Sequence, residues 1–508
     1  MDKGKINTFI LTTLFIMSLF LASKTLFDTN NDLFSSLGDN KYDSSKDLII
    51  SQIISPKRIL VNYSEGTHTI VYSNEKDDLW GKATVIIKDT FMNDMLNITE
   101  ITSKELIDEK SEKSINLEFP DEIPIRLLSK ALDMPIPTNI EGNIESIKDV
   151  YIRIGNESYI ILSNEEKVIK INDLTYDSDD LDKSIENLKN SRDFVNYWPG
   201  RIILGTKEDV YIPTSVPSNK KNIKVKNDID VIDTTKKKNE YSEKIPQNNL
   251  EDIHRAEDNS HIDKIAEGFF DKDLSYLRKI VDNSGAIVYM YNQNTGLLVY
   301  PNGLIEYSNT LDNVTIERNL YESFNTIIEF VTTKDRLPEE SYLSNIEEIE
   351  SEDGSKGYRF TFEYNIQGRP VYINNINSEN KQLMKPLIVE VFNDQVKSYK
   401  RFYRDSIFEE ETRIYGEERM TPEEIIEKNM DEIIRDFIND ENSIAKNMEQ
   451  KIREIIVSSI DNVSLGYYDN AKEYYNTPLD DVWVIDIGKK RYIFDTSDGT
   501  KLDVESID

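Results

Sequence analysis

A serine acyl-enzyme needs a hydroxyl beside a base, and the chain offers Ser-x-x-Lys at Ser218–Lys221, Ser378–Lys381 and Ser443–Lys446. Such short patterns arise by chance in a chain rich in Ser and Lys. None has companion motifs, and no Gly-x-Ser-x-Gly occurs. A metallopeptidase helix sets two His four residues apart. Here His254 and His261 stand seven apart around Glu257, in a polar charged stretch. His68, the remaining histidine, sits alone in a strand pattern and reads as a surface or a satisfied residue. Asp495-Thr-Ser-Asp-Gly superficially resembles a calcium loop, but its Gly comes one place early and no ligand series continues through Lys501, so a β-turn at Asp498-Gly499 is expected. Paired carboxylates could serve a glycosidase, yet 94 acidic residues nominate no pair. Trp80, Trp198 and Trp483 are scattered and read as core rather than a sugar platform. The expectation is no catalytic residue, no metal and no cofactor.

Composition narrows the class further. The 508 residues suggest about three domains. The absence of Cys excludes a disulfide scaffold, a thiolate zinc site and a Cys nucleophile. A formal charge of −33 repels polyphosphate, so nucleic acid is not an expected partner.

The elements that would carry any function begin with an uncharged stretch, Ile6–Ser23, flanked by Lys3, Lys5 and Lys24. As a helix its length is roughly 27 Å, close to a hydrocarbon core. It reads as an uncleaved signal anchor, the alternative being a signal peptide cut after Phe20-x-Ala22 or Leu21-x-Ser23. The anchor reading makes 1–5 a cytoplasmic tail and places the bulk of this single-pass chain outside the cell membrane. Thr8, Thr12, Phe15, Ser18, Leu19 and Ala22 share one face, which suits close helix–helix approach in the bilayer. The alternative is that the hydroxyls bond their own backbone.

After a polar stalk at 24–46, the pattern predicts an α+β body of antiparallel sheets with packed helices. A first domain at 47–215 has strands at Lys57–Tyr63, Thr67–Tyr72 and Lys82–Ile87, then a helix at Ile125–Leu132. A meander follows (Val150–Ile154, Ser158–Leu162, Lys167–Ile171), then a helix at Asp179–Phe194 and strand at Arg201–Tyr211. Residues 216–260 read as a charged linker. A middle domain at 261–410 opens with a helix that could bury a stripe of Ile265, Phe269, Leu274 and Leu277, with a break near Lys272. It continues with a meander from Ala286 to Tyr307, a helix around Leu320–Val331 and four strands between Tyr358 and Tyr403. In the C-terminal domain, 411–508, Thr421-Pro-Glu-Glu is a capping box that starts a helix, followed by a second at Ser443–Ser459 and a closing meander.

This order, with Glu118-Phe-Pro-Asp-Glu-Ile-Pro, Tyr211-Ile-Pro, Ala266-Glu-Gly-Phe-Phe-Asp-Lys-Asp-Leu-Ser-Tyr-Leu-Arg, Asn302-Gly-Leu-Ile-Glu-Tyr, Tyr358-Arg-Phe-Thr-Phe-Glu-Tyr-Asn-Ile-Gln-Gly-Arg-Pro-Val and Tyr399-Lys-Arg-Phe, resembles the YycH (WalH) family nearly end to end. The C-terminal part, with Gly466-Tyr-Tyr, Val482-Trp and Phe494-Asp-Thr-Ser-Asp-Gly-Thr, also looks like a PepSY-type unit of the YycI kind. The linker at 216–260 is longer than that family's pattern. The resemblance implies a non-enzymatic regulator that shifts a sensor histidine kinase of the YycG (WalK) type, controlling cell-wall metabolism, together with a YycI-like partner. A membrane-anchored cell-wall enzyme and a ligand-sensing PepSY-type module are the alternatives.

Overall fold

The computed structural model describes residues 53–214, 223–226 and 260–507, with breaks of one to ten residues inside those ranges. The expected membrane segment, its Thr8–Ala22 face, the stalk and residues 227–259 lie outside the described residues.

Short β-branched runs in the first third pair into a nine-stranded sheet. From edge to edge its strands are Asn97–Glu100, Val168–Asn172, Ile160–Ser163, Ser146–Arg153, Ser114–Pro124, Arg58–Asn62, His68–Val71, Tyr197–Pro199 and Tyr211–Pro213. The expected meander is present in antiparallel register, with Val150 opposite Leu162 and Ile160 opposite Ile171. Lys82–Ile87, expected as a strand, lies instead inside the helix Asn74–Phe91. Leu79, Ala83, Ile86 and Ile87 are buried at helical spacing, whereas Val85 is 58% exposed. A strand would have put Ala83, Val85 and Ile87 on one face, so the apolar spacing outweighs the β-branched composition. Arg201–Tyr211 is not a strand either. Gly200–Ile203 forms one helical turn between the short strands Tyr197–Pro199 and Tyr211–Pro213. Gly200 permits this turn, because a Cβ there would lie 2.4 Å from Thr206 Oγ1.

The remaining two thirds build a thirteen-stranded sheet. Its first part is the meander Arg278–Val281, Ile287–Tyr291, Thr295–Val299 and Leu304–Asn309, continued by Gln395–Phe402, Leu387–Phe392 and Lys356–Ile366. Ser341–Glu350 pairs beside the last of these. Arg369–Ile373 then lies parallel to Ile460–Asp469, the one parallel pair among the described strands, and Asp480–Ile487, Lys490–Asp495 and Lys501–Ser506 complete the sheet. Middle and C-terminal segments therefore share one hydrogen-bonded surface. Ile223–Lys226, within the charged stretch, pairs with Asp405–Phe408 and with Thr477–Pro478 in a separate three-stranded sheet.

Helices cover these sheets through periodic apolar faces. In Leu320–Lys334 the side chains of Phe324, Ile327, Ile328 and Val331 are buried, and Asn319 caps the start by accepting from Glu322 N. The helix Ser260–Phe270 buries Phe269 of the expected stripe, together with Ile262, Ala266 and Phe270, whereas Ile265 and Leu277 are only partly covered. Its chain leaves the helical path at Asp271, which has φ +50°, so Leu277 falls out of phase with the helix. Pro422–Ile438 starts at the expected capping box, where Glu424 N donates to Thr421 Oγ1 at 3.3 Å and Thr421 N to Glu424 Oε2 at 2.8 Å. Together with Lys446–Ser458 it covers Val463, Leu465, Trp483, Ile485 and Phe494. Burying each such side chain stabilises by about 1.5–3 kcal/mol. Val210 and Ile212 of the nine-stranded sheet insert into this same core. Trp80 and Trp483 are core residues as expected, but Trp198 is 40% exposed, because on the strand Tyr197–Pro199 it faces away from the side on which Tyr197 is buried.

Candidate functional site: a charged junction between the sheets

The strands that bring the two sheets together carry charges on the faces that meet. Lys57 precedes and Arg58 opens the strand Arg58–Asn62, Glu118 lies on its neighbour Ser114–Pro124, and Asp149 lies opposite Glu118 on the next strand, Ser146–Arg153. Arg58 Nε donates to Glu118 Oε2 at 2.7 Å, and Arg58 Nη1 reaches across to Asn462 Oδ1 at 3.2 Å. Asn462 Nδ2 in turn donates to Asp486 Oδ2 at 3.3 Å. Arg491 grips Asp486 with two bonds, of 2.8 and 3.1 Å, and lies 3.6 Å from Glu505. A planar guanidinium suits this two-point grip better than an ammonium does. On the middle segment Lys385 meets Glu363 at 2.8 Å, and Tyr342 OH donates to Glu363 at 3.0 Å. A further link, from Ile346 N to Asp121 Oδ2 at 3.1 Å, ties the same two sheets.

Proton affinities follow from this crowding. Burial and then Arg491 lower the Lys57 pKa. Burial pushes Glu363 up, but Lys385, Arg491 and Lys57 overcome it and hold the carboxyl at about 2. Glu118 is likewise held below its ordinary value, burial being outweighed by Arg58 and Lys57. Asp149 has the opposite balance: burial and the adjacent Glu118 charge raise it to about 6. The junction thus brings five carboxylates (Glu118, Asp149, Glu363, Asp486, Glu505) to four cations (Lys57, Arg58, Lys385, Arg491). Most of the ion pairs close within one segment (Arg58–Glu118, Lys385–Glu363, Arg491–Asp486), and the three segments are tied by the Arg58–Asn462 and Ile346–Asp121 bonds and by the pull of Arg491 and Lys57 on the Glu363 carboxylate.

The residues weighed in the sequence are elsewhere. His68 is buried and satisfied, its Nδ1 2.7 Å from Asn62 Oδ1 and its ring edge-on to Tyr211. The Asp495–Gly499 segment is a turn: Gly499 N donates to Asp495 O at 3.0 Å, with Gly499 at φ +69°. Asn429 of the covering helix donates to Gly499 O at 2.9 Å, so the turn is packing, not ligation. Ser218–Lys221, Ser378–Lys381, Ser443 and His254 lie outside the described residues. Among the described residues no group of three His, Asp or Glu is placed to hold a metal ion, and no helix is long and apolar enough to cross a membrane. The junction residues were not singled out individually, although Glu118 and Glu363 fall in two of the stretches that carry the family resemblance.

The fold defines the class, a mixed helix-and-sheet protein of largely antiparallel sheets linked by hydrogen bonds such as Arg58–Asn462 and Ile346–Asp121. No family model matches the chain, and no curated protein sequence matches it. Among solved structures it is similar to YycH from Bacillus subtilis, at 12% identity over 89% of this chain and 96% of that one, with a TM-score of 0.47. It is also similar to an uncharacterized protein from Eubacterium rectale (12% identity, 63% and 94% covered, TM-score 0.31). A third likeness is to the C-terminal domain of Bacillus megaterium YpeB (12% identity, 49% and 97% covered, TM-score 0.23).

Proposed function

We propose that this chain is a non-enzymatic, membrane-anchored regulator of a sensor histidine kinase of the YycG (WalK) type, working beside a YycI-like protein to adjust cell-wall metabolism. The observation that carries the reading is the sequence arrangement. An uncharged span with a small-residue and hydroxyl face precedes a large body bearing the family's motifs from Glu118 to Phe402. The junction is consistent with it, because its charges are engaged with one another and hold the body as one piece. A regulator of this kind needs only to bind two kinase states unequally. A tenfold population ratio corresponds to about 1.4 kcal/mol, within reach of a few helix-packing contacts.

The test replaces Thr8, Thr12 and Ala22 with Leu in the full-length chain. Co-purification of the kinase from native membranes should fall, and the output of a kinase-dependent reporter should change. Unchanged pull-down together with unchanged output refutes the membrane-face reading. Turnover of peptidoglycan by the purified full chain, abolished by a single Asp or Glu change, refutes the non-enzymatic one.

A further inference from the structure

The two edges of the nine-stranded sheet differ in their surroundings among the described residues. At its Tyr211–Pro213 edge the side chains of Val210 and Ile212 are buried in the core built by residues 425–494. At the other edge no described strand pairs with the outer side of Asn97–Glu100. The direction of its free backbone groups follows from the register. Residues 97–100 lie opposite 172–169, and Ile101 N donates to Val168 O at 3.0 Å. Bonded and non-bonded positions alternate in an antiparallel pair, so Asn97 and Thr99 bond inward while Ile98 and Glu100 turn their N–H and C=O outward.

A notch of about 280 Å³ adjoins this edge, its apolar wall flanked by Asn93, Thr138 and Asn139. Leu96, the residue that leads into the strand, lines it together with Phe91, Met92, Pro135, Ile136 and Pro137. Met92 is 58% exposed and Ile136 44%, and the neighbouring Met95 is 91% exposed. Leu96 and Ile98 are two apart and share a face, so a strand added along the edge would present alternate side chains toward the notch. The connection is fixed in advance: Met95 N donates to Asn93 Oδ1 at 3.0 Å, and Met92 N to Lys88 O at 3.0 Å. Pre-set geometry lowers the ordering cost of binding.

Charge selects the occupant. The segments that form edge and notch, 88–100 and 133–139, carry Asp89, Asp94, Glu100 and Asp133 against Lys88, a net −3 within a chain of −33. Glu100 also meets Lys167 at 3.4 Å. Two copies of this surface would repel, whereas an extended segment alternating Lys or Arg with apolar residues would be attracted. We infer that the Asn97–Glu100 edge and the Met92–Ile136 notch form a docking site for a basic, apolar, extended segment of a partner protein, taken up as an added strand. Main-chain bonds at Ile98 and Glu100 hold the segment, and one apolar side chain fills the notch. The inference does not rest on the membrane-face reading, and its test does not involve the kinase.

The probe is a fluorescein-labelled peptide, Ac-Lys-Val-Lys-Leu-Lys-Val-Lys-NH2, titrated against the full chain in detergent by anisotropy, with hydrogen exchange of the backbone read in parallel. Binding should protect the amides of Ile98 and Glu100. The peptide with Glu for every Lys should not bind. Ile98→Pro removes only an outward donor at an edge that tolerates proline, and should weaken binding about fivefold. Ile136→Asp alters an exposed side chain and should weaken it at least as much. Equal binding of the acidic peptide, binding without protection at Ile98 and Glu100, or indifference to both substitutions would overturn the inference. So would self-association of the chain that protects the same two amides without peptide.

Discussion

Replacing Glu363 by Gln keeps the side-chain shape and removes its charge at the centre of the junction. The carboxylate is bonded by Lys385 and Tyr342 and its side chain is 18% exposed. Its pKa is depressed from 4.5 to about 2, burial being overcome by Lys385, Arg491 and Lys57. A drop of about 2.5 units corresponds to roughly 3 kcal/mol of native-state stabilisation at neutral pH. A separate route gives a similar figure, since removing one partner of a buried pair costs about 3–5 kcal/mol through the charge left behind. The sign fixes the pH window. A carboxyl depressed on folding contributes fully above 4.5, and its contribution is lost as pH falls toward 2. The deficit of E363Q should therefore be about 3 kcal/mol at pH 7 and under half of that at pH 3. Urea unfolding of the full chain in detergent, followed by tryptophan fluorescence, reads the difference. With a slope of about 3 kcal/mol per molar urea, the midpoint should fall by roughly 1 M at pH 7. Adding Lys385→Met to E363Q should recover part of the loss, because the orphaned ammonium is removed. A deficit as large at pH 3 as at pH 7, or none at either, would refute the electrostatic reasoning.

Other outcomes are equally direct. Burial lowers the His68 pKa to about 4. The unfolded chain thus takes up this proton first, and His68 contributes stability above pH 6.5 that is lost as pH falls toward 4. His68→Gln, which keeps a donor for Asn62, should flatten the fall in melting temperature between pH 6.5 and 4.5; an unchanged fall counts against the assignment. A Cβ at Gly357 would lie 2.4 Å from Val391 O and 2.7 Å from Phe392 Cδ1. Gly357→Ala should therefore cost about 1–3 kcal/mol in a thermal melt. Gly81, within the helix Asn74–Phe91, has open space where its Cβ would be, so Gly81→Ala should stabilise by about 1 kcal/mol. A reversed order of these two variants would contradict the packing described.

Local signals were legible where one physical rule governed them. Thr421-Pro-Glu-Glu marks its helix because the cap is a contact within four residues, and the meanders at 146–172 and 287–309 follow from alternation and turn residues. Lys82–Ile87 misled because β-branched composition and helical spacing coincide in one stretch, and only the flanking Leu79 and Phe91 break the tie. The strand Ser341–Glu350 carries no clear pattern, since only Tyr342 and Leu343 in it are buried and its two Ile, partly covered, are interspersed with exposed Asn and Glu. The junction was illegible for a different reason. Arg58 and Asn462 are 404 residues apart, and among so many carboxylates Glu118 and Glu363 carry no local mark. Such a cluster exists only once the topology has folded the faces together.

The placement of Val210 and Ile212 also bears on how the molecule is made. A ribosome delivers the nine strands of the first module well before Ile425, Ile456 and Trp483, the residues that shelter those two side chains, exist. Until nearly the last turn of synthesis the module carries a greasy, unfinished seam. Premature termination anywhere before the final meander leaves that seam permanently open, so shortened products are destined for capture by chaperones or proteases rather than for partial service.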